Sequence, residues 1–245
     1  MSLSVPLSAN STRTLAPVDL PVVSGASAAA TTSAAGTTYE MCLADDHDDP
    51  RLARQYRRLL NAVVAEMPPD IGGTILVTGA GSSSHVADVV GQLARLLTTD
   101  CQCDVLLADV DAEHRVLSQR FAAAGDHGIV DALQDRLPVR SWAARTVVSR
   151  LTFLPFGQGL AWRRTLAAEA VRELMADCRK SFRYTLLAGG GELSPLTQHV
   201  ARYCDATYLV VQLGQADRSE TVQRTQVLVS CGARLLGCIA TGYRG

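Results

Sequence analysis

The residues best suited to chemistry lie between Ile75 and Leu97, in the run ILVTGAGSSSHVADVVGQLARLL. An apolar run is followed by a turn of Gly79, Gly81 and serines, and then by an amphipathic stretch. That order is the setting in which backbone N–H groups and a helix N-terminus hold phosphates. A working phosphate loop also needs a lysine for the β- and γ-phosphates and a Ser or Thr hydroxyl for Mg²⁺. Here Ser82, Ser83 and Ser84 follow the glycines, and His85, Val86 and Ala87 stand where Gly, Lys and Ser/Thr would. Val86 carries no charge and Ala87 cannot ligate a metal. Asp88 adds a carboxylate that suits the helix dipole but repels a phosphate at close range. Lys180 is the single lysine of the chain and lies just before a different apolar run. A dinucleotide site fares no better, because the second and third glycines of its fingerprint are missing. The residues read as a tight turn of small side chains, with a serine capping the next helix.

Such a turn is useful only where a sheet positions it. Apolar runs at 74–78, 104–109, 151–155, 184–188, 206–213 and 235–240 read as strands. Helical stretches fall near 85–98, 115–124, 128–135, 161–180, 194–203 and 218–230. Short, continuously apolar strands alternating with helices imply an α/β fold, a mainly parallel sheet with helices on both faces. Ligands of such folds sit at the C-terminal ends of the strands. Upstream, Leu52, Tyr56, Leu59, Leu60 and Val63 share one face of a helix over 51–67, which Pro68 and Pro69 stop. Residues 1–38 are rich in Ser, Thr and Ala with no apolar periodicity, and are expected to be a disordered extension. Residues 39–70 then form a helix and linker, and 71–245 the α/β domain.

The remaining composition narrows the function. Net charge is −1, which gives no footprint for nucleic acid or an anionic membrane. No apolar run approaches the roughly 20 residues of a membrane span, and the start shows no secretory pattern, so a cytoplasmic location is expected. The seven cysteines (42, 101, 103, 178, 204, 231 and 238) show no second pair at zinc spacing and read as reduced thiols. His47, His85, His114, His127 and His199 show no metal spacing, and Trp142 and Trp162 read as packing residues.

Over residues 51–242 the sequence resembles the cytoplasmic domain of bacterial tyrosine autokinases of polysaccharide export and capsule assembly, relatives of the MinD- and ParA-like ATPases. ARQYRRLLN (53–61) is similar to the family's EAYRxLRTN segment, and ILVTGAG (75–81) to the strand entering its Walker A loop. VLLADVD (105–111) resembles the Walker A′ strand LLIDAD, GIVDALQD (128–135) resembles GLSDVLxG, and LTFLPFG (151–157) resembles LxVLPAG. FRYTLLAGGG (182–191) falls at the Walker B segment YDxVIIDTPP. CDATYLVVQLG (204–214) and ARLLGCIATG (233–242) resemble CDGVLLVVRxG and VLGVVLNG.

The resemblance places Val86 at the Walker A lysine, Ala87 at its hydroxyl and Ala188 at the Walker B aspartate. Gly189, Gly190 and Gly191 replace the Thr-Pro-Pro that follows. Asp109 and Asp111 remain as relics. In the helix that packs between subunits, Arg54 takes the glutamate position and Leu60 the second arginine, which leaves Tyr56 and Arg57. The family's tyrosine-rich tail has no counterpart before Gly245. With lysine, hydroxyl and aspartate gone, positioning and charge stabilisation for phosphoryl transfer are gone too. The resemblance therefore implies a catalytically inactive subunit with no expected ATP or Mg²⁺. It would act as adaptor or regulator of an inner-membrane polysaccharide co-polymerase, through Tyr56, Arg57 and Gly190, with homo-oligomers possible and no nucleic acid. The alternatives are a residual ATPase or tyrosine kinase that uses an arginine such as Arg115, and a MinD/ParA-like positioning protein.

Overall fold

The computed structural model describes residues 31–33, 36–39, 50–68, 71–159 and 167–242. Its strands are β1 (Thr31–Ser33), β2 (Gly36–Tyr39), β3 (Gly73–Ala80), β4 (Val105–Asp109), β5 (Ala144–Thr146), β6 (Leu151–Leu154), β7 (Tyr184–Ala188), β8 (Ala206–Gln212) and β9 (Leu235–Thr241). Its helices are α1 (Pro50–Ala65), α2 (Ser83–Thr99), α3 (Val116–Arg120), α4 (Ile129–Asp135), α5 (Ala168–Ser181), α6 (Pro195–Ala201) and α7 (Arg218–Ser230).

The strands form one sheet in the order β1-β2-β5-β6-β4-β7-β3-β8-β9. From β6 to β9 all neighbours are parallel, as continuous apolar strands joined through helices require. Alternate residues face opposite layers. Ile75 and Val77 of β3 join one core with Leu93 of α2 and Tyr208 of β8. Leu76 joins the other core with Val171 of α5, Leu196 of α6 and Leu228 of α7. Helices therefore cover both faces, as the alternating pattern demands.

Strand β1 and all of β2 except Tyr39 lie within the expected extension 1–38; residues 1–30 and 34–35 lie outside the described residues. Strand β2 pairs with β5, which turns back antiparallel on β6. Tyr39 ends β2, buried beside Phe121 and Phe153, with ring centroids 6.3 and 5.6 Å away. Its hydroxyl donates to Asp126 Oδ2 at 2.5 Å. Helix α1 packs into the domain: Leu52, Tyr56, Leu59, Leu60 and Val63 are buried in the same core as α2 and the sheet.

Candidate functional site

The parallel strands β3, β4 and β7 end side by side, and their exits build the site. Strand β3 delivers Gly79 and Ala80, β4 delivers Asp109 to Asp111, and β7 delivers Gly189 to Gly191. At this end of the sheet a phosphate would meet the N-terminus of α2.

The turn is short. Only Gly81 and Ser82 separate β3 from α2, which begins at Ser83, three residues before Val86. The segment that would loop around a phosphate is instead the first turn of a helix. Ser82 occupies the N-cap position but its side chain makes no capping hydrogen bond, contrary to the expected serine cap. Ser83 is the serine with a structural task. Its Oγ accepts the Gly191 N–H at 2.7 Å and lies 3.2 Å from His114 Nδ1.

The triple glycine closes over this turn. Gly79 N–H donates to Gly190 O at 2.8 Å, and Thr78 Oγ1 donates to the same carbonyl at 3.1 Å. A Cβ on Gly191 would come within 1.7 Å of Gly81 O and 3.0 Å of Ser83 N, so its backbone lies directly on the start of α2. A Cβ on Gly190 would meet the Asp111 carboxylate at 2.3 Å, and Gly190 holds φ +71°, which glycine adopts freely. At Gly191 the missing side chain lets two backbones touch.

Behind the turn, Val86 is 1% exposed, and a Cβ on Gly79 would meet Val86 Cγ2 at 2.8 Å. Ala87 and Ala188 are buried in the same core. Ser84 is exposed at the helix start, while His85 is buried with Nδ1 unpartnered among the described residues. From α7, Arg224 donates to the carbonyls of Gly79 (3.1 Å) and Gly191, and Glu220 Oε1 holds it from the other side at 2.6 Å. No sequence signal marked Arg224, because its role depends on α7 crossing the strand ends.

The two aspartates are committed to the fold. Asp109 is fully buried; its Oδ2 accepts Ser118 N–H and Ser118 Oγ–H, both at 2.8 Å, and its Oδ1 accepts Asp111 N–H at 3.0 Å. Burial pushes its pKa up to about 6, against the opposing hydrogen bonds from Ser118 and Asp111. Asp111 Oδ1 accepts the N–H groups of Glu113 and His114, each at 3.1 Å. Its Oδ2 has no partner among the described residues. Asp88 pairs with Arg120 at 2.5 Å.

The positions expected to meet a partner are divided by burial. Tyr56 is in the core and Gly190 is buried, so neither presents a surface. Arg57 is exposed and pairs with Asp100 at 2.9 Å. Arg115 stacks over Phe156, 4.4 Å from the ring centroid, and reaches Gly157 O at 3.4 Å. Lys180 is exposed in the last turn of α5, at the opposite end of the sheet, since β7 starts at Tyr184 and runs toward the site. Trp162 lies outside the described residues, as do Cys42 and His47.

The sequence matches no protein-family model and no curated protein. Solved structures do match. The BceF tyrosine kinase domain superposes with a TM-score of 0.67 at 20% identity, over 84% of this chain and 83% of that one. The kinase domain of the Escherichia coli tyrosine kinase ETK gives 0.70 at 18%, over 81% and 78%. The cell division ATPase MinD of Pyrococcus furiosus gives 0.55 at 20%, over 68% and 70%. The chain has the MinD-like P-loop fold. At the turn, Gly190 and Gly191 lie against the exit of β3 and the start of α2, and Val86 and Ala87 are buried.

Proposed function

We propose that this chain is a catalytically inactive adaptor built on the P-loop fold. In this reading it is a pseudo-kinase subunit that docks on the cytoplasmic segment of an inner-membrane polysaccharide co-polymerase. The observation that carries the inactivity is the start of α2 at Ser83 under Gly191. Phosphoryl transfer rests on positioning and on cations at the phosphoryl oxygens. What supports this is that Gly190 and Gly191 lie against the exit of β3 and the start of α2, and Arg224 is spent on two carbonyls and Glu220.

The adaptor role is supported by the sequence resemblance and by the kinase domains among the structural neighbours. It also accords with the described residues containing no helix long and apolar enough to cross a membrane, so that contact with a membrane system would run through a partner. An arginine-based ATPase has less support, because Arg115 is held on Phe156 and Gly157.

Calorimetric titration of the full chain with Mg-ATP tests the reading, alongside incubation with γ-labelled ATP. The expected result is no binding heat, no phosphate release and no labelled protein. Binding heat, or label that disappears in Asp109→Ala, would overturn it.

A further inference from the structure

We infer that the groove beside α7 takes a lysine- and arginine-rich segment of the membrane partner, and does so without nucleotide. The inference rests on the adaptor reading and gives the docking site its place and chemistry. The groove encloses about 430 Å³ between the start of α6 and one face of α7. Residues 220, 223, 224 and 227 follow helical spacing and form that face. It begins where the triple glycine ends, at Glu192, so it adjoins the closed turn without entering it.

Its charge selects the occupant. Glu113, Glu192 and Glu220 line it, with Arg224 as the lining cation. Arg224 already serves Glu220 and the carbonyls of Gly79 and Gly191. Glu113 and Glu192 are exposed and form no ion pair among the described residues. Two uncompensated carboxylates therefore face one cleft, and Leu193, Pro195 and Val227 give it apolar walls. Long Lys and Arg stems lie along apolar surface while their heads reach carboxylates. Cytoplasmic stretches within about 15–20 residues of a membrane span carry an excess of Lys and Arg. The groove is complementary to such a stretch and has the wrong sign for nucleic acid or an anionic lipid surface. Because Gly190 and Gly191 already close the turn next to it, no nucleotide is needed to shape it.

The test is fluorescence anisotropy of the full chain with a labelled peptide of about 15 residues, rich in Lys, Arg and Leu, matching the span of the positive bias. Wild type should bind it, more tightly as salt falls, with or without Mg-ATP. The double variant Glu113→Gln/Glu192→Gln should bind about fivefold more weakly, two exposed ion pairs being lost. Lys180→Gln, exposed on α5 at the opposite end of the sheet, should leave affinity unchanged. Thermal melts matching wild type show that the exposed substitutions leave the fold intact. Equal affinity of wild type and the double variant, equal binding of an acidic peptide, or no binding would overturn the groove. Mg-ATP calorimetry run in parallel keeps the two readings apart. Heat from Mg-ATP with a Glu-dependent peptide site overturns the inactive adaptor and leaves the groove. Silent Mg-ATP with Glu-independent peptide binding overturns the groove alone.

Discussion

Arg224 Nη1 on α7 donates to the Gly79 carbonyl at the end of β3, 3.1 Å away. The bond joins the last helix to the strand exit that would feed a phosphate loop. The same guanidinium also bonds Gly191 O, so α7, β3 and the glycine loop after β7 are fastened at one point. Charge-assisted bonds of this kind hold more firmly than neutral ones. The site at the strand ends is a packed junction.

That packing works against building a phosphate site at the turn. Val86→Lys introduces a cation at a position 1% exposed to solvent. Burying an unpaired ammonium costs about 3 kcal/mol or more. The variant, alone or with Ala87→Thr, should unfold at lower urea and still give no Mg-ATP heat. Recovery of nucleotide binding with undiminished stability would contradict the closed turn.

Gly191 and Gly125 make a paired comparison. A Cβ at Gly191 would lie 1.7 Å from Gly81 O, whereas one at Gly125 meets nothing within 4 Å. Gly191→Ala should cost about 2–4 kcal/mol, and Gly125→Ala should stay within about 0.5 kcal/mol of wild type. Urea unfolding of the two variants measures the contrast, and similar values would disprove close contact at Gly191.

Asp109 gives a pH signature. Its folded pKa of about 6 lies above its ordinary value of 3.8. The native state therefore binds more protons than the unfolded chain between about pH 4 and 6, and stability falls as pH rises through that window. Asp109→Asn does not titrate. The stability of wild type relative to Asp109→Asn should drop by about 3 kcal/mol or less from pH 4 to pH 7, the other groups cancelling. Unfolding free energies of both proteins at the two pH values decide it; a constant difference would rule out the raised pKa.

Tyr39 marks how far the folded unit extends. It is buried against Phe121 and Phe153, and its hydroxyl bonds Asp126. Tyr39→Ala should cost about 3 kcal/mol, and Tyr39→Phe about 1 kcal/mol. Thermal melts should rank them in that order. A neutral Tyr39→Ala would place β2 outside the cooperative unit.

The sequence by itself determined the layers. Continuous apolar strands at 74–78, 184–188 and 206–213 can be satisfied only with both faces covered, and Leu52 to Val63 mark the buried stripe of α1 because helical spacing shows in the residues themselves. The resemblance likewise led to the expectation that Val86, Ala87 and Ala188 stand where side chains for phosphate chemistry would. The short strands β1, β2 and β5 left no such trace, since a strand of three or four residues without an apolar run is defined by its neighbours' hydrogen bonds. Only the tertiary structure decided what fills the site. The carbonyl partners of Arg224, the burial of Gly190 and Tyr56, and the start of α2 at Ser83 all depend on chain segments that meet only when the sheet assembles. Sequence spacing encodes which face a residue takes on its own element; which backbone lies opposite is set by packing between elements distant along the chain.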